Sequence, residues 1–480
     1  MPDTHVTVTD HPGAVPGGAV ASAADTTAVL AALREILPAL RDRAAKTEQA
    51  RRIPVESIDE LTETGVLRLL QPRRHGGYEA HPTEFYTAVT ELAAACGSTG
   101  WVAAVLGISP WNLALFDTAA QDEVWGGDQN ARLCSSYALT GTATPVEGGY
   151  RLSGRWGFAS GCDHAQWVLL GARVMDGDTA AGSCTFLVPA ADYTVLDVWQ
   201  AVGLRGTGSN DLVVEDVFVP DHRVLDSGSV GKCETPGNAV NDGPLYRIPF
   251  GCVHTSAITA AIIGMARGGY HAHLDQQRDR IRVALPGDAT KDSGFTGSAF
   301  RGDPATLTRI AEASAELDAA WVLLTHNIGR LYDLAATGAP ITPPERLRLR
   351  RDQVRGTERA VYAVDRLFEN SGGRALRPDS VIQRCWRDAH AGRAHAANDP
   401  ERVYRMFGSA ELAAAQPVPQ TARRDSGRSE SAPDGAGQES VMVAPVPGVT
   451  RTNPATTEAI PGAKAVSAAD AASGAEARRS

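Results

Sequence analysis

The chain has 480 residues, of which 43% are hydrophobic and 21% are charged, a composition typical of a globular protein with a buried core. Its 56 acidic residues outnumber its 46 lysines and arginines, and the formal net charge of −10 argues against a nucleic-acid-binding protein. The longest apolar run, around residues 257–266, is too short to cross a bilayer, and the N-terminus lacks the apolar segment of a secretory signal. We therefore expect a cytoplasmic protein that does not contact the membrane.

The first half of the chain divides into three segments. Residues 1–27 are rich in Ala, Thr, Gly and Pro without a helical pattern, which predicts a flexible N-terminal arm. Residues 28–132 carry apolar side chains at the spacing of amphipathic helices, and we expect a helical domain there. Residues 133–225 contain short β-rich runs separated by turns such as EGG and DGD, which predicts a central β domain.

The second half also has three segments. Residues 226–250 form a Gly-rich connection that we interpret as a loop and a candidate lid. Helical periodicity returns over residues 251–408, whereas residues 409–480 contain no aromatic residue and are predicted to be a disordered tail. A run of strands between two runs of helices predicts an α+β fold and not an alternating βαβ one.

The motif GLRGTGSND at 203–211 has closely spaced glycines, as a dinucleotide-binding loop has. Such a loop follows a strand and opens a helix. Here the glycines precede the predicted strand 212–219, so we interpret the motif as a turn whose backbone is free to contact a cofactor.

The motif GRWGFASG at 154–161 places Trp156 and Phe158 in alternation, as on one face of a strand. One interpretation is that both rings pack into the protein core. The other is that they form a wall against a planar cofactor, with the Ser160 hydroxyl as a hydrogen-bond donor at the end of the strand.

Residues 378–400 carry several charged and histidine side chains on a predicted helix. Arg384 and Asp388 are four residues apart and can pair on one face. His395 and Asp399 have the same spacing, so the carboxylate could orient the imidazole and raise its basicity. A structural histidine is the other interpretation, and both stay open at this point.

Other sites have little support in the sequence. The seven cysteines are scattered without a C-x-x-C pair, and H-E-x-x-H and P-loop patterns do not occur, so we expect no metal. The G-x-S-x-G motif of a hydrolase nucleophile is also missing.

Several motifs together resemble the acyl-CoA dehydrogenase fold. They are LQPRRHGGYEA, CGSTGWV, the Ser135–Tyr137 segment that leads to GTATPVEGGYRLSGRWGFASG, GLRGTGSNDLVVEDVFVP and QRCWRDAHAGRAH, and they lie in order between about residues 30 and 408. More narrowly, the chain is similar to the oxygenase components of two-component flavin-dependent (group D) aromatic monooxygenases. Among them are the 4-hydroxyphenylacetate 3-hydroxylase and 3-hydroxy-9,10-secoandrostatrienedione hydroxylase oxygenases.

The resemblance implies an N-terminal helical domain, a central β-barrel domain and a C-terminal four-helix bundle, assembled as a homotetramer. It implies hydroxylation of a phenolic or polycyclic aromatic substrate by molecular oxygen through a flavin C4a-hydroperoxide. A separate NAD(P)H-dependent flavin reductase would supply FMNH2 or FADH2, and the choice between the two flavins stays open.

By the same resemblance, the cofactor-binding residues would be Trp101, Ser135, Trp156, Ser160, Arg205, Thr207 and Ser209. Ser160 would also act in catalysis by donating to the flavin N5 region. His395, supported by Asp399, would take the phenol proton, because a phenolate attacks the terminal peroxide oxygen more readily. Such general-base assistance is worth roughly 10²- to 10⁴-fold in rate.

Three alternatives remain at the level of sequence. An acyl-CoA dehydrogenase of the same fold needs a carboxylate base, and Glu411 is the nearest acid to the position where the commonest subfamily carries it. An N- or S-hydroxylating monooxygenase would share the flavin chemistry. A non-catalytic partner would have a degenerate flavin pocket, yet none of the quoted motifs is broken.

Overall fold

A computed structural model describes residues 23–284 and 304–414 of the chain. The helices are α1 (Ala23–Ala50), α2 (Val55–Thr64), α3 (Pro82–Ala95), α4 (Gly97–Leu113), α5 (Thr118–Trp125), α6 (Ser227–Lys232), α7 (Phe250–Ala284), α8 (Pro304–Ala336), α9 (Pro343–Ser371), α10 (Val381–Arg393) and α11 (Pro400–Ala414). The strands are β1 (Leu133–Val146), β2 (Gly149–Ala159), β3 (Trp167–Asp176), β4 (Thr179–Pro189), β5 (Thr194–Leu196), β6 (Asn210–Pro220) and β7 (Val224–Asp226).

Helices α1 to α5 form the N-terminal helical domain, with α4 in its interior. Every residue of α4 is buried, as expected for a helix that is apolar around its whole circumference. It packs against α3, against α7 and against the start of the sheet at β1. A side chain on α4 therefore has little freedom to move.

The seven strands form one mixed sheet in the order β5-β6-β2-β1-β3-β4-β7. β1 pairs antiparallel with β2 and parallel with β3, so it lies in the middle of the sheet. The order places β5 and β7 at the two edges. In its hydrogen bonding, the central domain that we expected as a barrel is therefore a seven-stranded mixed sheet.

Helices α7, α8, α9 and α10 pack on one another and form the expected C-terminal bundle. Helix α9 begins with a capping box, in which Thr342 and Glu345 satisfy each other's backbone N–H groups, and with Pro343 at its first position. Helix α3 also packs along α7 and joins the bundle to the N-terminal domain. The predicted α+β order of helices, strands and helices is confirmed.

The segment 226–250 contains regular structure, and its interpretation as a single loop is wrong. It holds α6 and two 3₁₀ turns, Pro236–Ala239 and Pro244–Arg247. The indole Nε1 of Trp111 donates to the Leu245 carbonyl over 3.0 Å, and the side chain of Tyr246 is fully buried. These contacts hold the segment against the N-terminal helical domain.

The helices extend beyond the predicted boundaries at both ends. Helix α1 begins at Ala23, inside the predicted arm, and Thr26 Oγ1 donates to Glu84 Oε1 over 2.6 Å. Helix α11 continues to Ala414, inside the predicted tail. The rest of the arm and of the tail lies outside the described residues. Within the described ranges, no helix is long and apolar enough to cross a membrane.

Candidate active site

Trp101 of α4 and Ser160, which follows β2, are joined by a hydrogen bond. The indole Nε1 of Trp101 donates to Ser160 Oγ over 3.1 Å, and both side chains are buried. The backbone directly after Ser160 is fixed against the 203–211 loop, because the Gly161 N–H donates to the Thr207 carbonyl over 3.0 Å. Two residues that were predicted from separate motifs therefore lie in contact.

Three buried hydroxyl groups form a chain that starts at Ser160. Ser160 Oγ lies 2.7 Å from Ser209 Oγ, and Ser209 Oγ lies 2.7 Å from Thr207 Oγ1. Thr207 Oγ1 donates to the Leu204 carbonyl over 2.9 Å. Each hydroxyl has one proton to donate. Because Thr207 donates to Leu204, Ser209 must donate to Thr207, and Ser160 must donate to Ser209.

Ser160 can donate to a ligand if this hydroxyl chain reverses its direction. Thr207 would then donate to Ser209, and Ser209 would donate to Ser160. The Leu204 carbonyl keeps a partner in that arrangement, because the indole Nε1 of Trp199 donates to it over 2.8 Å. The structure thus brings together Trp101, Ser160, Thr207 and Ser209 from the predicted set in a cluster that can present one hydroxyl proton.

The loop that carries Thr207 and Ser209 is held against α10 by Asp388. Asp388 Oδ1 accepts a hydrogen bond from the Leu204 N–H over 2.6 Å, and Leu204 has a positive φ of 51°. A Cβ at Gly203 would lie 2.1 Å from the Arg387 carbonyl oxygen, so only glycine fits this close approach. Burial raises the pKa of the Asp388 carboxyl to about 6.

The predicted ion pair of Asp388 with Arg384 is absent from the contacts of the described residues, and Asp388 accepts from Leu204 instead. The helical spacing of the two residues is correct, but the carboxylate faces the loop across the domain interface. Sequence analysis therefore missed the role of Asp388, since its partner lies 184 positions away in the chain.

Trp156 lies in the core. Its side chain is fully buried, its Nε1 donates to the Gly171 carbonyl over 2.7 Å, and its ring occupies the space next to Gly141. A Cβ at Gly141 would lie 2.0 Å from the Trp156 ring. The packing interpretation of Trp156 is confirmed, and the structure gives no support to its predicted contact with a flavin.

Alternation along the strand predicted that Phe158 shares the face of Trp156, and this prediction is wrong. The pairing of β2 with β6 shifts register between Trp156 and Ala159, and Phe158 has a positive φ of 62°. A bulge of this kind redirects a side chain. The Phe158 ring is 75% exposed and lies edge-on to Trp199 at 6.0 Å between ring centroids. Phe158 therefore provides an accessible aromatic face two residues before Ser160.

Ser135 and Arg205 lie in different surroundings. Ser135 is buried on β1, two positions before Tyr137 and on the same face of the strand. Arg205 is exposed, and its Nε lies 3.7 Å from Glu48 Oε1 of α1. The structure thus places Ser135 inside the protein and Arg205 at its surface.

His395 is a second neighbour of Trp101. The rings of Trp101 and His395 are edge-on, with their centroids 5.8 Å apart. His395 Nδ1 accepts a hydrogen bond from the Ala397 N–H over 3.1 Å, so the neutral imidazole carries its proton on Nε2. Burial, with a smaller effect of the Arg350 charge, lowers the pKa of His395 to about 4.

Arg350 supports the turn that follows His395. Its Nη2 donates to the Ala397 carbonyl over 2.6 Å, and its Nη1 donates to Gln353 Oε1 over 2.7 Å. Among the described residues no carboxylate pairs with this guanidinium, and burial lowers the pKa of Arg350 to about 10. A largely uncompensated positive charge therefore acts on the His395 side of the site.

The predicted orientation of His395 by Asp399 is wrong. Helix α10 ends at Arg393, and a 3₁₀ turn at Ala396–Asn398 separates the two residues, so they do not share a helical face. Asp399 is exposed, and its Oδ1 accepts from the Arg402 N–H over 3.1 Å at the start of α11. Asp399 caps a helix, and the backbone of Ala397 orients His395.

An aromatic cage, formed by Tyr137, Phe250 and His254, lies beside His395. Tyr137 is edge-on to Phe250 at 4.9 Å and to His254 at 5.2 Å between ring centroids, and Phe250 stacks on His254 at 5.1 Å. The centroids of His254 and His395 are 6.5 Å apart. None of the three was predicted as a site residue, because no sequence pattern relates β1 to the start of α7.

Comparison with known proteins agrees with this architecture. Residues 24–127 match the family description "Acyl-CoA dehydrogenase, N-terminal domain", and residues 256–400 match "Acyl-CoA dehydrogenase, C-terminal domain". The oxygenase subunit HsaA of a flavin-dependent monooxygenase from Rhodococcus jostii (strain RHA1) is 50% identical over 380 residues, which are 79% of this chain and 97% of the relative. This chain belongs to the flavin-dependent monooxygenase oxygenase family.

Two further comparisons support membership of this oxygenase family. The oxygenase component of an FADH(2)-dependent resorcinol hydroxylase from Rhizobium sp. (strain MTP-10005) is 37% identical over 78% of this chain and 91% of the relative. The crystal structure of 3-HSA hydroxylase from Rhodococcus sp. RHA1 has a TM-score of 0.77 and 48% identity, and the match covers 82% of this chain and 98% of that one. The resemblance inferred from the motifs is confirmed.

Proposed function

We propose that this chain is the oxygenase component of a two-component monooxygenase that hydroxylates a phenolic substrate. In the net reaction, reduced flavin, molecular oxygen and the aromatic C–H compound give oxidised flavin, water and the hydroxylated product. A separate NAD(P)H-dependent reductase would supply the reduced flavin. The names of the relatives, which are oxygenase components and include a resorcinol hydroxylase, support this proposal.

The position of Trp101 is the observation that carries the proposal. Its indole N–H donates to Ser160 Oγ over 3.1 Å, and the centroids of its ring and of the His395 ring are 5.8 Å apart. A cofactor beside Ser160 and a substrate beside His395 would therefore be neighbours. Such proximity is what an oxygen transfer between two bound molecules requires.

The residues near Ser160 fit a flavin. The exposed ring of Phe158 offers a face for a planar tricyclic group, and the Ser160–Ser209–Thr207 hydroxyl chain offers a proton at its edge. When bound in its reduced form, the flavin supplies the electrons and activates the oxygen. The chain itself holds the ring, excludes water through its buried helix α4 and presents the Ser160 hydroxyl.

We propose that His395 binds the phenolic oxygen as a hydrogen-bond donor. Its Nδ1 accepts from Ala397, so Nε2–H is the group free to meet a ligand. A neutral imidazole that donates to a phenolate, assisted by the Arg350 charge, favours the ionised and more nucleophilic ring. The sequence-based prediction made His395 a base, which would require a proton on Nδ1 and the loss of the Ala397 bond.

The acyl-CoA dehydrogenase alternative has less support. Its carboxylate base is expected near the substrate, but Glu411 is exposed on α11. The buried carboxylate of Asp388 already accepts from the Leu204 backbone. N- or S-hydroxylation would need the same flavin site and differs only in the substrate.

Isotope incorporation tests the proposed function. The purified protein is mixed with resorcinol, an excess of chemically reduced FMN or FAD, and ¹⁸O₂. We expect a product with one added hydroxyl group that carries ¹⁸O, and none when His395→Phe replaces the wild type. Consumption of oxygen with only hydrogen peroxide formed, for resorcinol and for larger phenols alike, would contradict the proposal.

We also propose a homotetramer and a cytoplasmic location. The exposed apolar side chains of Val198 and Val202, which are 45% and 77% exposed, suit burial between subunits. All seven cysteines are free thiols, as is usual in a reducing compartment. Light scattering after gel filtration should give about four times the chain mass of 50.5 kDa, whereas a monomeric mass would contradict the tetramer.

A further inference from the structure

Two residues of α9 form a hydrogen-bonded connection to the turn that follows His395. Arg350 and Gln353 are three positions apart and lie on one face of the helix. Arg350 Nη2 donates to the Ala397 carbonyl over 2.6 Å, and its Nη1 donates to Gln353 Oε1 over 2.7 Å. The Ala397 N–H in turn donates to His395 Nδ1 over 3.1 Å. Hydrogen bonds therefore connect Gln353 to His395 through Arg350 and Ala397.

The Gln353 side chain is buried in the bundle, and all its contacts fix one orientation of its amide. Its Nε2 donates to Ser256 Oγ over 2.6 Å and to the Cys252 carbonyl over 3.2 Å. Its Oε1 accepts from Thr255 Oγ1 over 2.5 Å as well as from Arg350. A rotated amide would place its NH₂ group against the Arg350 donor, so the oxygen must face the guanidinium.

Gln353 occupies a position where a carboxylate would be expected, because a buried arginine is usually paired with an acid. Among the described residues no carboxylate pairs with Arg350. The nearby charge of Arg402 is also positive, and the nearby thiol of Cys252 is neutral because burial raises its pKa to about 12. Glutamine thus supplies the hydrogen bond that holds the guanidinium and does not neutralise its charge.

The charge of Arg350 acts on the two imidazoles of the site. Burial is the main cause of the low pKa values of His395 and His254, and the Arg350 charge lowers both further. A positive charge that opposes protonation at these positions favours a negative charge there by the same electrostatic effect.

We propose that Gln353 is a positioning residue, which holds Arg350 against the turn and leaves its charge uncompensated, so that the site binds the ionised form of a phenol in preference to the neutral form. Gln353 acts through Arg350. The inference rests on the proposed function, in which His395 binds the phenolic oxygen.

A coloured phenol tests this inference. 4-Nitrophenol absorbs visible light only when it is ionised. Its absorbance, followed over pH with and without an excess of the full-length protein, gives the ratio of the affinities for the ionised and neutral forms. We expect the wild type to bind the ionised form about tenfold more tightly, which is the order expected for one unit charge about 10 Å from the bound oxygen.

Substitutions of Gln353 separate its charge effect from its packing. Gln353→Glu should abolish the preference, because a carboxylate of nearly the same shape neutralises Arg350, and the pKa of His395 should rise above its wild-type value of about 4. Gln353→Met should keep the preference within about threefold, because Arg350 stays charged and still donates to Ala397. A merely structural Gln353 would give the opposite order, with methionine the more damaging change.

Two further variants serve as controls. Gln383 on α10 also accepts from an arginine, Arg387, over 2.6 Å, and Gln383→Glu should keep the wild-type preference. Arg350→Gln removes the charge but keeps a side chain that can hydrogen-bond, and it should lose the preference whether or not Gln353→Glu folds.

A preference that persists in Gln353→Glu or in Arg350→Gln would overturn the role of Gln353 and leave the proposed function standing. Equal affinities of the wild type for the two forms would also overturn it, while ¹⁸O incorporation would still support hydroxylation. Binding of neither form to the wild type would contradict the proposed function together with the inference.

Discussion

Asp388 should make the stability of this protein depend on pH in a defined direction. Its carboxyl is buried, accepts from the Leu204 N–H and has its pKa raised by burial from 3.8 to about 6. Replacement by asparagine removes the charge but keeps an oxygen that can accept the same hydrogen bond. Comparison of the two proteins therefore isolates the effect of ionisation.

The size of the effect follows from the two pKa values. A carboxyl whose pKa rises from 3.8 to about 6 on folding lowers the free energy of unfolding by about 3 kcal/mol once it is ionised in both states. This stabilisation of the protonated folded state is complete below about pH 3.8 and is lost as the pH rises through 6. Between pH 7.5 and pH 5.0 the linkage relation gives a change of about 1 kcal/mol.

Urea unfolding of the wild type and of Asp388→Asn at pH 7.5 and 5.0 checks this result. The stability of the wild type relative to Asp388→Asn should increase by about 1 kcal/mol on going from pH 7.5 to 5.0. Any constant difference between carboxylate and amide cancels in this comparison. A relative stability that stays constant, or that decreases at the lower pH, would refute the burial of an ionisable Asp388.

Four further predictions concern the site. Ser160→Ala should shorten the lifetime of the oxygenated flavin species about tenfold in stopped-flow absorbance, and an unchanged lifetime would exclude its role as a donor. Phe158→Ala should weaken flavin binding about tenfold in an equilibrium titration, whereas equal affinity would contradict an aromatic platform. Trp156→Phe should lower the free energy of unfolding by about 1–3 kcal/mol and leave flavin affinity unchanged, because Trp156 lies in the core. The pKa of His395, measured by NMR titration, should lie near 4 in the wild type. In Arg350→Gln it should rise but remain below 6.5, since burial is the larger cause of the shift. An unchanged pKa in this variant would show that the Arg350 charge does not act on His395.

The order of helices and strands could be predicted from the sequence, because the periodicity of apolar residues in each segment is a local pattern. The change from helical to strand periodicity and back corresponds to the observed order of helices, strands and helices. The prediction that the glycines at 203–208 form a turn before a strand is also confirmed, since β6 begins at Asn210. Trp101 and Ser160 were selected from motifs and lie in direct contact.

The errors have specific physical causes. The 3₁₀ turn that follows α10 breaks the four-residue spacing of His395 and Asp399. A bulge in β2 places Phe158 on the surface and leaves Trp156 in the core, although alternation puts them on one face. Both are departures from regular geometry that depend on tertiary packing.

Contacts between distant segments could not be predicted from one sequence. Asp388 accepts a hydrogen bond from the Leu204 N–H, which lies 184 positions away in the chain. Its four-residue spacing to Arg384 had suggested a different partner. Tyr137 and His254 come from a strand and a helix that are far apart in the chain. Such pairs are visible only when the fold brings the elements together.

Rapid mixing with oxygen tests the central claim most directly. The protein is first mixed anaerobically with reduced FMN or FAD and then with oxygen-saturated buffer, and absorbance is followed by stopped flow. We predict an oxygenated flavin signal that persists well before oxidised flavin appears, with one of the two flavins preferred. An immediate return to oxidised flavin, together with tight binding of oxidised FAD, would contradict a monooxygenase and favour a dehydrogenase of the same fold.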